Sequence, residues 1–160
     1  MNYTKYFFIL LGVFFFNCKT ANNNVVFEYV DPLQKVFPES VYFAPSLAHA
    51  DVARGEHASF QFAVRSNENI TNLKVEVLAP MKGSLILSDI KKGFVGYVRV
   101  GRANPEPSRD SYRPMSGFFP DPIIYQKSKD VTFGTTQPLW VSVKIPTDCE
   151  PGIYNGRSSR

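Results

Sequence analysis

Apolar and polar residues alternate in short runs along most of the chain, and a period of two is the spacing of a strand with one buried face. The clearest run sets Leu139, Val141, Val143 and Ile145 against Trp140, Ser142 and Lys144. Pro146 ends it, Pro151-Gly152 marks a turn, and Ile153-Tyr154-Asn155-Gly156 opens a return strand. The tail Arg157-Ser158-Ser159-Arg160 lacks the alternating β-branched residues of a continuing strand. The return strand is therefore expected to break off after Gly156. Upstream, Phe60, Phe62 and Val64 oppose Gln61, Ala63 and Arg65, and Leu73, Val75 and Val77 oppose Lys74 and Glu76. The second run has one wet face and suits an antiparallel sheet.

Shorter apolar stretches at Val25–Val30, Leu85–Leu87, Phe94–Val100 and Val131–Phe133 predict further strands. Asn67, Asn69 and Asn72 supply a turn between two of the runs. Residues 31–57 read as an extended connector broken by Pro32, Pro38, Pro45 and Gly55, with one apolar piece at Val41-Tyr42-Phe43. Residues 101–130 read as a long irregular insert rich in proline. Seven or eight short strands with no amphipathic helix predict an all-β fold, an antiparallel two-layer β-sandwich over residues 25–160 that is incomplete at its C-terminus. Trp140 is expected to pack in the core or between the sheets.

The N-terminus changes the compartment. Lys5 followed by the apolar run Tyr6–Phe16 has the make-up of an export signal. It is too short for the roughly 20 residues of a spanning helix. Phe15-Phe16-Asn17-Cys18 resembles a bacterial lipoprotein box, with Phe15 and Asn17 departing from its usual aliphatic and small residues. Residues 1–18 are thus expected to be a lipoprotein-type signal segment ending at a lipidated Cys18, and the Asn-rich 19–24 a polar tether. The plain alternative is an ordinary secretory leader. Either way the protein is exported, as a membrane-anchored lipoprotein of a bacterial cell envelope or as a secreted protein.

Charge and composition exclude more than they suggest. The 160 residues carry a net charge of +4, too mild to indicate nucleic acid, and the basic region Lys91–Arg113 has no aromatic or Gly-rich recognition motif. The two cysteines are Cys18 and Cys149. A lipidated Cys18 cannot pair, which leaves Cys149 as a lone loop thiol with no His or Asn motif around it. If Cys18 is not lipidated, a bridge between the two remains open. His49 and His57 have neither the helical spacing nor the Cys partners of a metal motif. No catalytic residue, metal site or cofactor is expected. Most of the acids, Glu56 and Glu150 included, are expected to do no more than solvate the surface. The candidate interaction segment is Phe118, Phe119, Pro120, Asp121 and Pro122, where two prolines stiffen the backbone around aromatics. It can dock a neighbouring domain, lid the sandwich's own core, or stack on a sugar.

Three stretches carry a family resemblance. They are Ala53-Arg54-Gly55-Glu56 with Phe60-Gln61, then Gly117-Phe118-Phe119-Pro120-Asp121-Pro122, then Gln137-Pro138-Leu139-Trp140-Val141 with Pro146, Pro151-Gly152 and Tyr154-Asn155-Gly156. In this order they resemble the N-terminal β-sandwich of glycoside hydrolase family 123 and its DUF4091-type relatives, over roughly residues 40–156. The resemblance implies a sandwich that precedes a catalytic barrel. In that family the barrel removes terminal N-acetylgalactosamine, using an adjacent Asp-Glu pair and the substrate's own acetamido group. No adjacent Asp-Glu pair occurs in this sequence. The chain is therefore expected to be a non-catalytic sandwich of a β-N-acetylgalactosaminidase-like enzyme, inactive alone, with the barrel as its partner and a glycan as a second candidate partner. The rival is a stand-alone cell-surface sandwich that binds glycans.

Overall fold

The computed structural model describes residues 25–41, 47–101 and 116–159, and within them the fold is all-β and antiparallel. The strands are β1 (Val25–Val30), β2 (His57–Ser66), β3 (Ile70–Leu73), β4 (Glu76–Lys82), β5 (Leu85–Ile86), β6 (Ile90–Val100), β7 (Gly117–Ile124), β8 (Lys129–Val131), β9 (Thr136–Lys144) and β10 (Asn155–Ser159). Five of them form one sheet in the order β1-β2-β9-β6-β7. Two small sheets, β10-β4-β5 and β3-β8, complete the set. The signal segment, the tether and Cys18 lie outside the described residues, as do Tyr42, Phe43 and most of the basic region.

Register explains which residues are inside. Phe60 lies opposite Val141, Phe62 opposite Leu139 and Ala58 opposite Val143, so the alternating residues of β2 and β9 fall on one face. The small sheets cover that face. Val64, Phe94 and Leu139 of the large sheet pack with Leu73 of β3 and Val131 of β8. Ala58, Val141 and Val143 pack with Leu87, and Val77 of β4 joins them. Burying one such side chain fully is worth about 1.5–3 kcal/mol. This is the two-layer core that the alternation predicts.

The other face of the large sheet is covered by chain instead of sheet. Residues 31–41 run across it as a strap, and Val36 packs with Val30 and Ala63. Three polar side chains of the sheet hold the strap down. Gln61 Nε2 donates to the Asp31 and Gln34 carbonyls at 3.0 and 2.9 Å. Arg65 reaches the Pro38 and Ser40 carbonyls and, at 3.0 Å, Thr136 Oγ1. The Thr136 hydroxyl in turn donates to the Ser40 carbonyl. Buried backbone carbonyls need such donors, and a strap without its own ladder takes them from side chains.

Four expectations change. The run Leu73-Val75-Val77 is not one strand, because β3 pairs with β8 while β4 pairs with β5 and β10. Asn72, at φ 58, turns the chain in the left-handed region, so the alternation continues while the partner sheet changes. The segment 101–130 is not irregular throughout, since β7 lies in it and β8 begins in it. Phe133, read as a strand residue, lies past the end of β8 and is 62% exposed. Arg157, Ser158 and Ser159 do form strand, pairing with Leu78, Val77 and Glu76. A ladder is made by backbone groups, and a strand with a partner on one side needs no β-branched run to join it.

Candidate functional site

The three recognisable stretches of sequence turn out to shape the backbone. Gly55 sits at φ 83, its N–H donates to the Ile145 carbonyl at 3.0 Å, and the Glu56 carboxylate accepts from the Ala53 N–H at 3.2 Å. This turn starts β2 beside the end of β9. In the third stretch, Pro138 has no N–H to offer a neighbouring strand. Gln137 Nε2 donates instead to the Val95 carbonyl at 2.8 Å, and also to Pro138's own at 2.7 Å. Without a donor there, a buried carbonyl would cost about 1–3 kcal/mol.

The second stretch is strand β7, at the edge of the large sheet beside β6. An edge strand is where prolines are tolerated, because their missing N–H is not needed on the open side. β7 bulges against β6, Asp121 and Pro122 together facing the single step from Val95 to Tyr97. Gly96 allows the approach, since a Cβ there would stand 2.8 Å from Ile123's neighbour Ile124 and 3.0 Å from Pro122. Along β7 the five candidate residues part company. Phe118 is 51% exposed, Pro120 is buried, and Asp121 and Pro122 are exposed. Phe119 packs edge-on against Phe37 of the strap at 5.6 Å.

Between β7 and the strap lies a depression of about 180 Å³ on the outer face. Trp140 lines it together with Gln61, Lys35, Asp121 and Ile123. Trp140 is half-buried and lies opposite Gln61 and Gly93 in the sheet. It faces away from the two-layer core, contrary to the expectation from its strand position. The alternation that buries Leu139 and Val141 necessarily turns Trp140 outward. A neighbouring depression of about 350 Å³ shares Lys35, Pro120 and Asp121 and is lined further by Phe37, Phe119, Val98 and Val100. The aromatic and polar groups that a binding surface needs therefore converge here, from three separate segments.

A second hollow, of about 430 Å³, lies between residues 48–54 and the loop after β9, with Asp51, Arg54, Cys149, Glu150 and Tyr154 in its wall. Its carboxylates are solvated: His49 stands 3.3 Å from Asp51, and the Lys82 ammonium 3.5 Å from Glu150. A general acid needs the opposite surroundings, burial or a like charge that keeps one carboxyl protonated. Cys149 is half-buried and its Sγ lies 3.4 Å from Tyr154 Oη, which donates to the Glu150 carbonyl at 3.0 Å. The hydrogen bond with Cys149 is the main cause that pushes the Tyr154 phenol up to about 12, with desolvation and the Cys149 and Glu150 charges adding and Arg54 opposing. A neutral phenol is no base for a thiol nucleophile. Among the described residues, no group of three or more His, Cys, Asp and Glu gathers to hold a metal ion. Both His49 and His57 are exposed.

Comparison with known proteins places the fold in a family. The family model described as the glycoside hydrolase 123 N-terminal domain matches residues 38–159. A solved family 123 glycoside hydrolase from Clostridium perfringens, described in terms of glycolipid glycan hydrolysis, matches with a TM-score of 0.56 and 20% identity. That match covers 66% of this chain and 18% of the other, so the shared part is under a fifth of the longer protein. No curated protein matches the chain.

Proposed function

The chain belongs to the family of glycoside hydrolase 123 N-terminal domains, and from that premise we propose that it is the non-catalytic sandwich of an exported β-N-acetylgalactosaminidase-like glycoside hydrolase, supporting a catalytic barrel encoded outside these 160 residues. The observation that carries this reading is the family match across residues 38–159. Two features support the non-catalytic role. The signature stretches go into a turn, an edge strand and a proline-interrupted central strand, and the carboxylates of the largest hollow described are solvated, with Lys82 beside Glu150.

Glycoside hydrolysis needs two carboxyl groups held about 5–9.5 Å apart around the scissile bond, or one such group working with the substrate's acetamido oxygen. The purified chain is accordingly expected to release no nitrophenol from a nitrophenyl N-acetyl-β-galactosaminide, whereas a protein that continues into a barrel with an Asp-Glu pair turns it over. Hydrolysis by the chain alone would overturn the non-catalytic reading. Sequencing the gene past the codon for Arg160 tests the partnership. A barrel-coding stretch in any downstream frame supports it, and its absence there leaves the stand-alone glycan-binding sandwich.

The export reading rests on Lys5, the Tyr6–Phe16 run and Cys18. With a lipid anchor at Cys18, Cys18→Ser shifts the protein from the membrane fraction to the soluble one. An unchanged distribution would remove the anchor.

A further inference from the structure

The outer-face groove has the make-up of a small ligand site. Its base includes Gln61, only 4% exposed, whose Nε2 is taken up by two strap carbonyls. The other end of that amide, Oε1, has no hydrogen-bond partner among the described residues, yet it is not sealed from solvent. Gln61 lines the depression. The strap thus holds the Gln61 amide in one orientation before any ligand arrives, which cuts the ordering cost of binding. Trp140 lines the same depression, and its indole N–H also has no hydrogen-bond partner among the described residues. Lys35 and Asp121 stand exposed at the rim, and the ion pairs among the described residues, His49–Asp51 and Lys82–Glu150, involve neither.

We propose that this groove binds one sugar ring at the end of a glycan, with Trp140 as the aromatic surface and Gln61, Lys35 and Asp121 as its hydrogen-bonding partners. The chemistry matches in three respects. A pyranose has an apolar patch of polarised C–H bonds, which suits the negative face of an aromatic ring. Its hydroxyls both donate and accept, so they suit a set that holds an acceptor amide oxygen, a carboxylate, an ammonium and an indole N–H. The depression of about 180 Å³ is small beside the roughly 300–1,000 Å³ of drug-sized sites. It takes one ring, and the neighbouring depression that shares Lys35 and Asp121 leaves room for the next unit of the chain. A folded protein partner would need a far wider surface, on the order of 800 Å² per side. The inference rests on the reading of this chain as part of a glycan-degrading protein, and it assigns the sandwich a share in holding the substrate.

Trp140 is the single tryptophan of the chain. Its fluorescence and its one indole N–H resonance therefore report on this groove alone. The full chain is titrated with N-acetylgalactosamine and with lactose, using sorbitol, an open-chain polyol, as the control. The expected result is a saturable shift of emission and of the indole resonance, with a dissociation constant on the order of 1–10 mM. Asp121→Asn and Lys35→Gln each weaken binding about tenfold while leaving the melting temperature unchanged. The proposal is overturned if neither signal moves with either sugar at concentrations about tenfold above that constant, or if sorbitol moves them equally. Binding undiminished in both variants overturns the groove as the site. None of these outcomes bears on the nitrophenyl-glycoside assay, so the two readings fail separately.

Discussion

At the scale of residues, several side chains do work that their type alone does not announce. Gln61 and Gln137 both read as polar interruptions of a strand, and both are buried donors to backbone carbonyls that no ladder serves. Tyr97 belongs to the same group: its hydroxyl donates to the Thr136 carbonyl at 2.7 Å, where the start of β9 meets the strap. Desolvation, with the nearby Glu39 charge, raises the Tyr97 phenol well above its ordinary value. The sign follows from proton binding. Above about pH 10 the unfolded chain releases this proton while the folded one keeps it, so stability present below pH 10 is lost as pH rises further. The urea midpoint is expected to fall steeply between about pH 10 and 12, and Tyr97→Phe should flatten that fall. A variant with the wild-type slope would show that Tyr97 does not carry it.

At the scale of elements, β7 is the most instructive. Its sequence looked like a proline-stiffened loop, and proline is indeed a poor central-strand residue. The structure places the same residues on the edge of the large sheet, where prolines guard against pairing with another chain. Pro122→Val restores an N–H near that edge and is expected to raise aggregation without a large change in the fold. Light scattering on heating checks this, and an unchanged onset would show the prolines have no protective part. Its packing limit is Gly93, where a Cβ would come within 2.8 Å of Ile123 and 3.0 Å of the Ile124 carbonyl. Neither the edge position of β7 nor its need for glycine opposite could be read locally, because both depend on a partner strand far away in sequence.

At the scale of the whole molecule, the two faces of the large sheet are finished differently. One is closed by the small sheets and the other is only partly closed by the strap, which is why a groove persists beside Trp140. The sheet β10-β4-β5 in turn leaves Leu78, Met81, Leu85 and Ile86 exposed. Exposed apolar residues gathered on one small sheet favour association. The chain alone is expected to self-associate in sedimentation velocity as concentration rises, and to melt with low cooperativity. A monomer with a sharp, reversible two-state melt would argue against it.

The sequence alone determined the all-β class, most strand positions and the inward residues of β2 and β9, because a period of two is a local property of an extended chain. It also showed the family, since the turn, the edge prolines and the Gln-Pro interruption leave fixed residues at fixed intervals. Only the tertiary structure decided which sheet each strand joins, so that one alternating run divides between β3 and β4. It alone turned Trp140 outward, pinned the strap through Gln61 and Arg65, and brought Lys35 and Asp121 to the same groove. The physical reason is one of range. Alternation follows from the geometry of neighbouring residues, whereas sheet order, strap position and groove arise from contacts between segments separated by dozens of residues, whose pairing no local pattern encodes.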